Sequence, residues 1–141
     1  MASPMPLERV IQIAEFRAGL RQFLRESEEV SRRWGLTPQR YLLLLQVKGA
    51  PDGSERLSFT ALADRLKVSP NTVTELVTRA EQAGLVRRER SGDDQRVVFV
   101  RLTEEGERRL HGVLEESDGA RRELIRSFEE LQKTFKTAWQ R

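Results

Sequence analysis

Short polar side chains and arginines cluster between residues 69 and 96, and their chemical types are those that bind nucleic acids. The first group is a run of candidate contact residues on one predicted helix: Ser69, Asn71, Thr72, Thr74, Glu75, Thr78 and Arg79. Amide, hydroxyl and guanidinium groups form hydrogen bonds with base edges and phosphate oxygens. The second group surrounds a short loop and comprises Arg90, Asp94 and Arg96. These residue types indicate a polyanion, double-stranded DNA in particular, as the binding partner.

The segment 69–83 has the apolar spacing of an amphipathic helix. At about 100° per residue, the face expected to contact the core contains Val73, Leu76, Val77, Ala80 and Ala83. The opposite face is polar and carries the candidate contact residues. A helix start favours Asn and Thr as caps for reasons unrelated to any ligand. That alternative accounts for Asn71 and Thr72 but not for Thr74 and Thr78, so we favour a DNA-binding face.

Glu75 lies in the middle of this polar face and has two candidate roles. Its carboxylate could accept a hydrogen bond from a cytosine amino group. It could instead pair with Arg79, four residues later, which is the favourable order of charges along a helix. We favour the pairing with Arg79.

Two short strands, 85–90 and 96–102, form a predicted hairpin with a charged loop. We expect Asp94 to hold Arg90 across this hairpin and Arg96 to point outward toward the duplex. A fixed arginine loses less side-chain entropy on binding, out of a total of about 2 kcal/mol. The alternative is a solvated loop whose charges neutralise one another.

The remaining hairpin residues have less specific expected roles. Arg87 and Arg88 lie further from the loop and suit either phosphates or the sheet surface. The apolar run from Val97 to Val100 is expected to anchor the hairpin to the core.

Helix caps and apolar spacing define the elements that would position these groups. A first long helix is predicted at 7–34, and Thr37-Pro38 begins a second that is apolar on almost all sides. Ser58 caps a short third helix. Ser69-Pro70 begins the fourth helix, and Gly84 ends it.

The chain is predicted to be helical after the hairpin, with Thr103 as the cap and Gly112 and Gly119 as weak points. Two helices joined by a short turn and followed by a hairpin form a winged helix-turn-helix pattern. The predicted fold is therefore mainly α with a small β-hairpin wing: a single domain, 1–141, with a winged helix-turn-helix core at about 37–103 flanked by long N- and C-terminal dimerisation helices at about 7–34 and 104–141.

Both terminal helices carry apolar residues that need a partner surface. In the C-terminal helix they are Leu124, Phe128, Leu131, Phe135 and Ala138, with Ile125 and Trp139 beside them. In the N-terminal helix they are Leu7, Val10, Ile11 and Ala14. These stripes either pack within one chain or form a homodimer interface. We favour the homodimer because the predicted core is too small to cover both helices.

Composition excludes several classes of function. Residues 65–101 carry eight Lys and Arg against five Asp and Glu, while the net charge of the whole chain is only +3. The absence of cysteine excludes disulfides, thiolate metal sites and cysteine-based redox sensing, and the single histidine, His111, excludes a multi-histidine site. No phosphate loop, nucleophile elbow or metal-ligand cluster is present, so we expect neither an enzyme nor a cofactor.

The sequence contains no run of 18 apolar residues and no basic segment followed by an apolar run at the N-terminus. We therefore expect a cytoplasmic protein with no membrane partner. A winged helix can also bind protein instead of DNA. Such a module would expose apolar side chains on the helix where this chain has polar ones.

Five segments together form a specific pattern: Leu62-Ala63-Asp64-Arg65-Leu66, Val68-Ser69-Pro70-Asn71-Thr72-Val73-Thr74, Ala83-Gly84-Leu85-Val86-Arg87-Arg88, Asp94-Gln95-Arg96 and Leu102-Thr103-Glu104-Glu105-Gly106. This pattern closely resembles the MarR family of bacterial transcriptional regulators. The resemblance is strongest over residues 57–106, and its most specific part is the Asp-x-Arg of the wing followed by Leu-Thr-x-x-Gly. The flanking helices match the family in length and order only.

The resemblance implies a homodimer that binds a pseudo-palindromic operator, usually as a repressor, and that is often released by a small aromatic or anionic effector. It places the recognition helix at 69–83 and the wing arginine at Arg96. Glu75 departs from the family, many of whose members have a basic residue there, which leaves the base contacts at this position open. Trp34 and Tyr41 are candidates to line an effector pocket, although large aromatic residues more often belong to a core.

Overall fold

A computed structural model describes residues 3–92 and 96–139, with side chains as far as residue 136. Within these residues, six helices and three strands occur in the order α1 (Leu7–Arg33), α2 (Pro38–Lys48), β1 (Arg56–Ser58), α3 (Phe59–Leu66), α4 (Pro70–Gln82), β2 (Val86–Arg90), β3 (Val98–Leu102), α5 (Glu104–Glu116) and α6 (Asp118–Trp139). This order confirms the predicted mainly helical, winged helix-turn-helix fold. None of the helices in the described part of the chain is long and apolar enough to cross a membrane.

The chain divides into two compact units. One contains the chain up to Val30 and from Glu115 onward, and the other is Ser31–Leu114. The second unit contains the helix-turn-helix and the wing. Its core is formed by buried side chains from every element from α2 to α5, and the fully buried ones include Leu43, Leu44, Val47, Leu62, Val73, Val77, Leu85, Val100, Leu110 and Val113. The prediction of a single domain stays a prediction.

Local sequence signals account for the helix starts in this unit. The Oγ1 of Thr37 accepts a hydrogen bond from the Arg40 amide at 3.2 Å, immediately before Pro38. The Oγ of Ser58 accepts from the Ala61 amide at 3.1 Å. Both predicted caps are therefore confirmed, because each hydroxyl satisfies an amide that has no partner inside its helix. The side chain of Tyr41 is buried in α2, consistent with a core position.

The sheet has three antiparallel strands in the order β1-β3-β2, with Val86 opposite Leu102 and Leu57 opposite Val100. The sequence analysis predicted only the β2–β3 hairpin. The strand β1 is three residues long and too short to show alternation, and it forms only because β3 lies beside it. The strand β3 also begins at Val98 rather than at residue 96. Of the run from Val97 to Val100 only Val100 is fully buried, so the predicted anchoring is narrower than expected.

The C-terminal helical region is broken at a different place from the one predicted. The break falls at Ser117, between α5 and α6, and not at Gly112 or Gly119. Gly112 lies inside α5, where a Cβ would overlap the indole ring of Trp34. Its role is therefore to allow close packing of that ring rather than to weaken the helix.

A junction of backbone and side-chain contacts joins the end of α4, the start of β2 and the start of α5. The Oγ1 of Thr103 donates to the Gly84 carbonyl at 2.7 Å and accepts from the Gly106 amide at 3.0 Å. The Thr103 amide donates to the Leu85 carbonyl at 3.0 Å. A Cβ on Gly106 would overlap this same carbonyl oxygen. Thr103 is thus the predicted cap of α5, and Gly106 is needed because backbone occupies the space of a side chain.

In the other unit, α1 and α6 pack along each other through aromatic contacts. The rings of Phe16 and Phe128 are 5.9 Å apart, and the Arg9 guanidinium lies 5.7 Å from the ring centre of Phe135. A cavity of about 770 Å³ is lined in part by Ile13, Phe128, Leu131 and Phe135. The predicted C-terminal stripe therefore packs partly within its own chain. The side chain of Trp139 lies outside the described residues.

We predict that Gly106→Ala lowers the free energy of unfolding by about 2 kcal/mol or more, since the added methyl group must displace the Leu85 carbonyl. The matched control is Gly119→Ala in α6, where nothing lies within 4 Å of the added Cβ. The control should be neutral or stabilising by up to about 1 kcal/mol, because alanine favours helix over glycine. Urea unfolding followed by circular dichroism measures both. Equal stability of the two variants would contradict the packing role of Gly106.

Candidate nucleic-acid interface

The turn between α3 and α4 fixes where the polar helix begins. The helix α3 ends at Leu66, and its C-cap Lys67 adopts a left-handed conformation with φ of 57° and donates its amide to the carbonyls of Ala63 and Asp64. Two residues later the Oγ of Ser69 accepts from the Thr72 amide at 3.2 Å and caps α4. Only residues 67–69 therefore separate α3 from α4, which is the short turn of a helix-turn-helix.

The faces of α4 follow the predicted helical wheel with three exceptions, the first being Leu76, which was predicted to contact the core but is only half-buried. Val73, Val77 and Ala80 are fully buried, whereas the candidate contact residues Ser69, Asn71, Thr72, Thr74, Glu75 and Arg79 are exposed. Ala83, predicted to contact the core, is exposed because it lies at the C-cap, beyond the last helical turn. Thr78, predicted to be exposed, is half-buried. The structure thus brings six of the seven α4 candidates to one solvent-facing surface.

The hydroxyl groups on this surface donate to the helix itself. The Oγ1 of Thr74 donates to the Pro70 carbonyl at 3.1 Å, and the Oγ1 of Thr78 donates to the Thr74 carbonyl at 2.8 Å. The hydroxyls of Ser69 and Thr72 lie 2.9 Å apart and share a hydrogen bond. Threonine hydroxyls commonly bond the carbonyl four residues earlier in a helix. The surface consequently offers fewer hydroxyl donors than its composition suggests.

Glu75 and Arg79 form the predicted ion pair. The Glu75 Oε1 and the Arg79 guanidinium are 2.6 Å apart, and both side chains are well exposed. The choice between this pair and a cytosine contact is therefore resolved in favour of the pair for the free protein. Pairing holds the Arg79 side chain along the helix with the remaining guanidinium hydrogens still able to donate.

Arg88 of β2 connects the wing to α4 and α3. Its guanidinium donates to the Thr78 Oγ1 at 3.2 Å, lies 3.4 Å from the Glu81 carboxylate and lies 5.2 Å from the ring centre of Phe59. The sequence analysis assigned Arg88 to phosphates or the sheet surface, and these contacts show an internal role at the helix–wing boundary. Side chains alternate between the two faces of a strand, so Arg88 lies on the same face of β2 as the buried Val86. This alternation is the one sequence feature that indicates the inward contacts of Arg88.

Glu89 connects all three strands on the opposite face of β2. Its carboxylate pairs with Arg56 of β1 and Arg101 of β3, each at 3.0 Å, and more distantly with Arg87 at 3.4 Å. The Arg56 guanidinium also lies 4.0 Å from the ring centre of Phe99, which favours a cation–π contact. The sequence carries no local signal for this cluster, because its members come from distant parts of the chain.

These arginines determine the charge state of Glu89. Burial raises the pKa of the Glu89 carboxyl, but hydrogen bonds and charge from Arg56 and Arg101 outweigh that effect, so the pKa lies below its usual value. The carboxylate is therefore ionised at neutral pH and holds the two neighbouring strands to β2.

The predicted wing arginines lie at the end of the hairpin. Arg90 and Arg96 are both exposed. Arg96 also lines a cleft of about 380 Å³ together with Arg88, Phe59 and Val98. Asp94, the predicted partner of Arg90, lies outside the described residues, so that brace stays a prediction.

The polar surface of α4 and the arginines of the wing form a surface suited to binding an extended anion. Arg90 and Arg96 supply positive charge, and α4 supplies short polar groups. Among the residues whose side chains are described, no three His, Cys, Asp or Glu groups are arranged to hold a metal ion. His111 is exposed on α5.

Comparison with known proteins identifies the class to which this fold and surface belong. A family model described as "MarR family" matches residues 34–97. The chain is 34% identical over 89 residues to the HTH-type transcriptional repressor MdtR of Bacillus subtilis, covering 63% of this chain and 55% of that protein. It is 30% identical over 112 residues to the HTH-type transcriptional regulator PecS of Dickeya dadantii, covering 78% of this chain and 66% of that protein. The matches span about half to two thirds of the length of these relatives.

Solved structures agree with this assignment. The structure of AbsC, a MarR family transcriptional regulator from Streptomyces coelicolor, has a TM-score of 0.69 and 25% identity, with 99% of this chain and 97% of that chain covered. A second Streptomyces coelicolor regulator, solved in complex with DNA, shares the fold with a TM-score of 0.65 and 24% identity, with 99% and 88% covered. The chain belongs to the MarR family.

We predict that Glu89→Gln, which keeps the shape but removes the charge, lowers the free energy of unfolding by about 1 kcal/mol at pH 7. The folded-state pKa of Glu89 is lowered, so its contribution is present above the unfolded pKa of about 4.5 and is lost as pH falls through the folded value. The difference between wild type and variant should therefore shrink below about pH 4.5. Urea titrations from pH 7 to pH 3 measure it.

The control is Glu115→Gln, which changes an exposed glutamate of α5. This variant should have the stability of the wild type at pH 7. A Glu89→Gln difference that stays constant from pH 7 to pH 3 would show that its cause is packing and not charge.

Proposed function

We propose that this protein is a sequence-specific, DNA-binding transcriptional regulator that acts as a homodimer. The observation that carries the proposal is the exposed polar surface of α4, which begins at a capped N-terminus and is flanked by the arginines of the wing. In helix-turn-helix proteins the second helix enters the major groove and leads with its N-terminal residues. The names of the relatives, all transcriptional regulators, support the same function.

Charge supports DNA rather than protein as the partner. Exposed arginines at the end of the wing, Arg90 and Arg96, suit phosphates or an adjacent minor groove. The exposed surface of α4 lacks the large apolar side chains that a protein-binding winged helix would present. A protein-binding module is therefore the weaker proposal. In the proposed DNA-binding function, Asp94 and Glu75 position arginine side chains.

Exposed apolar residues on the terminal helices support the homodimer. Leu7, Val10 and Ile11 of α1 are 72%, 46% and 49% exposed, and Phe128 of α6 is 46% exposed even though its ring contacts Phe16. Burying such residues stabilises an interface by about 25 cal/mol for each Å² of apolar surface removed from water. A second copy of the chain is the partner that covers both helices at once, with Ala14, Leu124, Leu131, Phe135 and Trp139 completing the proposed interface.

A two-fold dimer would bind a pseudo-palindromic operator. Its two copies of α4 would contact successive major grooves, about 34 Å apart along the duplex. One relative is named a transcriptional repressor, which supports repression as the mode of action. We also propose, from the resemblance to the MarR family, that a small aromatic or anionic effector releases the protein from its operator.

We predict that Arg96→Ala weakens binding to every DNA sequence and reduces the slope of log affinity against log salt by about 1 for each phosphate that the variant no longer binds. Fluorescence anisotropy, with DNA from upstream of the protein's own gene against scrambled DNA at several salt concentrations, measures both quantities. Arg126→Ala is the charge-matched control, because Arg126 is an exposed arginine of α6. Unchanged affinity and slope in Arg96→Ala would refute the wing contact.

We predict that Phe128→Asp converts the dimer to monomers and weakens operator binding by about 100-fold or more, because two linked half-site contacts become one. Sedimentation velocity measures the oligomeric state. Leu42→Asp is the matched control, since Leu42 of α2 is also 46% exposed but lies in the other unit. If both variants remain dimeric, the proposed interface is wrong.

A further inference from the structure

Thr74 is the exposed threonine nearest the middle of the α4 surface, and its hydroxyl hydrogen is already used. The Oγ1 donates to the Pro70 carbonyl at 3.1 Å. A hydroxyl has one hydrogen to donate and two lone pairs that accept. While this intrahelical bond persists, Thr74 presents only its methyl group and the accepting side of its oxygen to a ligand.

The neighbours of Thr74 are also engaged in local contacts. Glu75 is paired with Arg79 at 2.6 Å, and the hydroxyls of Ser69 and Thr72 lie 2.9 Å apart. Thr78, one turn further along, donates to the Thr74 carbonyl and accepts from Arg88. Thr74 therefore differs from Thr78, whose oxygen already accepts a hydrogen bond and whose side chain is half-buried.

The major groove contains one apolar group that matches an exposed methyl. This group is the C5-methyl of thymine, while the other groove-facing groups donate or accept hydrogen bonds. Guanine offers two acceptors, and Thr74 could satisfy them only by breaking its bond to Pro70. The amino groups of adenine and cytosine could donate to the Thr74 Oγ1. An experiment must therefore distinguish a base contact made by the Thr74 methyl group from one made by its oxygen.

We infer that Thr74 is a specificity-determining residue that recognises a thymine through contact between its own methyl group and the thymine C5-methyl. The inference rests on the proposed function, since it requires α4 to enter the major groove. It assigns thymine as the base that Thr74 recognises. Membership of the MarR family does not determine that base.

The experiment uses the full-length protein and a duplex that the wild type selects from a random-sequence library. Each thymine of the selected duplex is replaced singly by deoxyuridine, which lacks only the C5-methyl. Burial of one methyl group contributes about 0.8 kcal/mol, so removing the thymine methyl should weaken binding about fourfold. Wild-type protein should show this weakening at one thymine in each half-site and unchanged binding at the thymines that α4 does not touch.

Two substitutions separate the methyl from the hydroxyl. Thr74→Val keeps a methyl and removes the hydroxyl, so it should bind the thymine duplex as tightly as wild type and stay sensitive to deoxyuridine. Thr74→Ser keeps the hydroxyl and removes the methyl from both half-site contacts of the homodimer, so it should bind about 15-fold more weakly and no longer distinguish thymine from deoxyuridine. Thermal unfolding of both variants verifies that they fold.

The opposite pattern overturns the inference. If Thr74→Ser binds like wild type and Thr74→Val does not, the oxygen makes the contact and the partner is an adenine or cytosine amino group. The inference is also wrong if no thymine responds to deoxyuridine while the wild type binds its selected duplex tightly. If the library yields no enriched sequence at all, the proposed function itself fails, and that result is distinct from the other two.

Discussion

The junction around Thr103 is the constraint on which the geometry of the helix–wing unit depends. The Thr103 hydroxyl donates to the Gly84 carbonyl just after α4 and accepts from the Gly106 amide in the first turn of α5, while the Thr103 amide donates to the carbonyl of Leu85, immediately before β2. Gly106 lets the α5 backbone approach that same residue without a side chain between them. Three elements that are separate in sequence are therefore fixed at one point. The wing leaves this point in a direction set by backbone contacts, which few single substitutions on the surface can alter.

Three arginines of the helix–wing unit make contacts that hold the strands and the wing together. Arg56, Arg88 and Arg101 are engaged with Glu89, Glu81, Thr78 or aromatic rings, so much of their hydrogen-bonding capacity is used inside the protein. Arg90 and Arg96 lie at the end of the hairpin and are exposed. The positive excess of residues 65–101 already counts Glu81 and Glu89, so these pairings leave the net charge unchanged and instead fix where the positive side chains lie.

Sequence reasoning succeeded where the cause of structure is local. The caps at Thr37, Ser58 and Ser69 each bond an amide within three residues, and a proline or an apolar run follows at once, so the signal and its effect lie side by side. The pairing of Glu75 with Arg79 is local in the same sense. The dominant features of the fold, its helices and hairpin, were predictable for this reason.

The features that could not be predicted depend on partners far away in sequence. The strand β1 exists only beside β3, and Arg56 meets Glu89 across 33 residues of chain. For Arg88 the sequence leaves phosphates and the sheet surface equally open, because its partners on α3 and α4 cannot be identified from its neighbours in β2. Gly112 looked like a weak point in a helix because the ring of Trp34 that fills the space beside it comes from the other end of the unit. The residue type determines which interactions a side chain can make. Its tertiary contacts determine which of those interactions are still available to a ligand.

That distinction also shapes how the proposed interface would discriminate among DNA sequences. A site that hydrogen-bonds a base strongly rejects a wrong one, because a buried donor or acceptor is then left without a partner. On α4 the hydroxyls of Thr74 and Thr78 already donate within the helix, and Glu75 already neutralises Arg79. A wrong base opposite such groups leaves few of them unsatisfied, so the cost of each mismatch is small. Discrimination by this protein would then accumulate over many weak contacts in two half-sites, with the wing arginines supplying affinity that is independent of sequence.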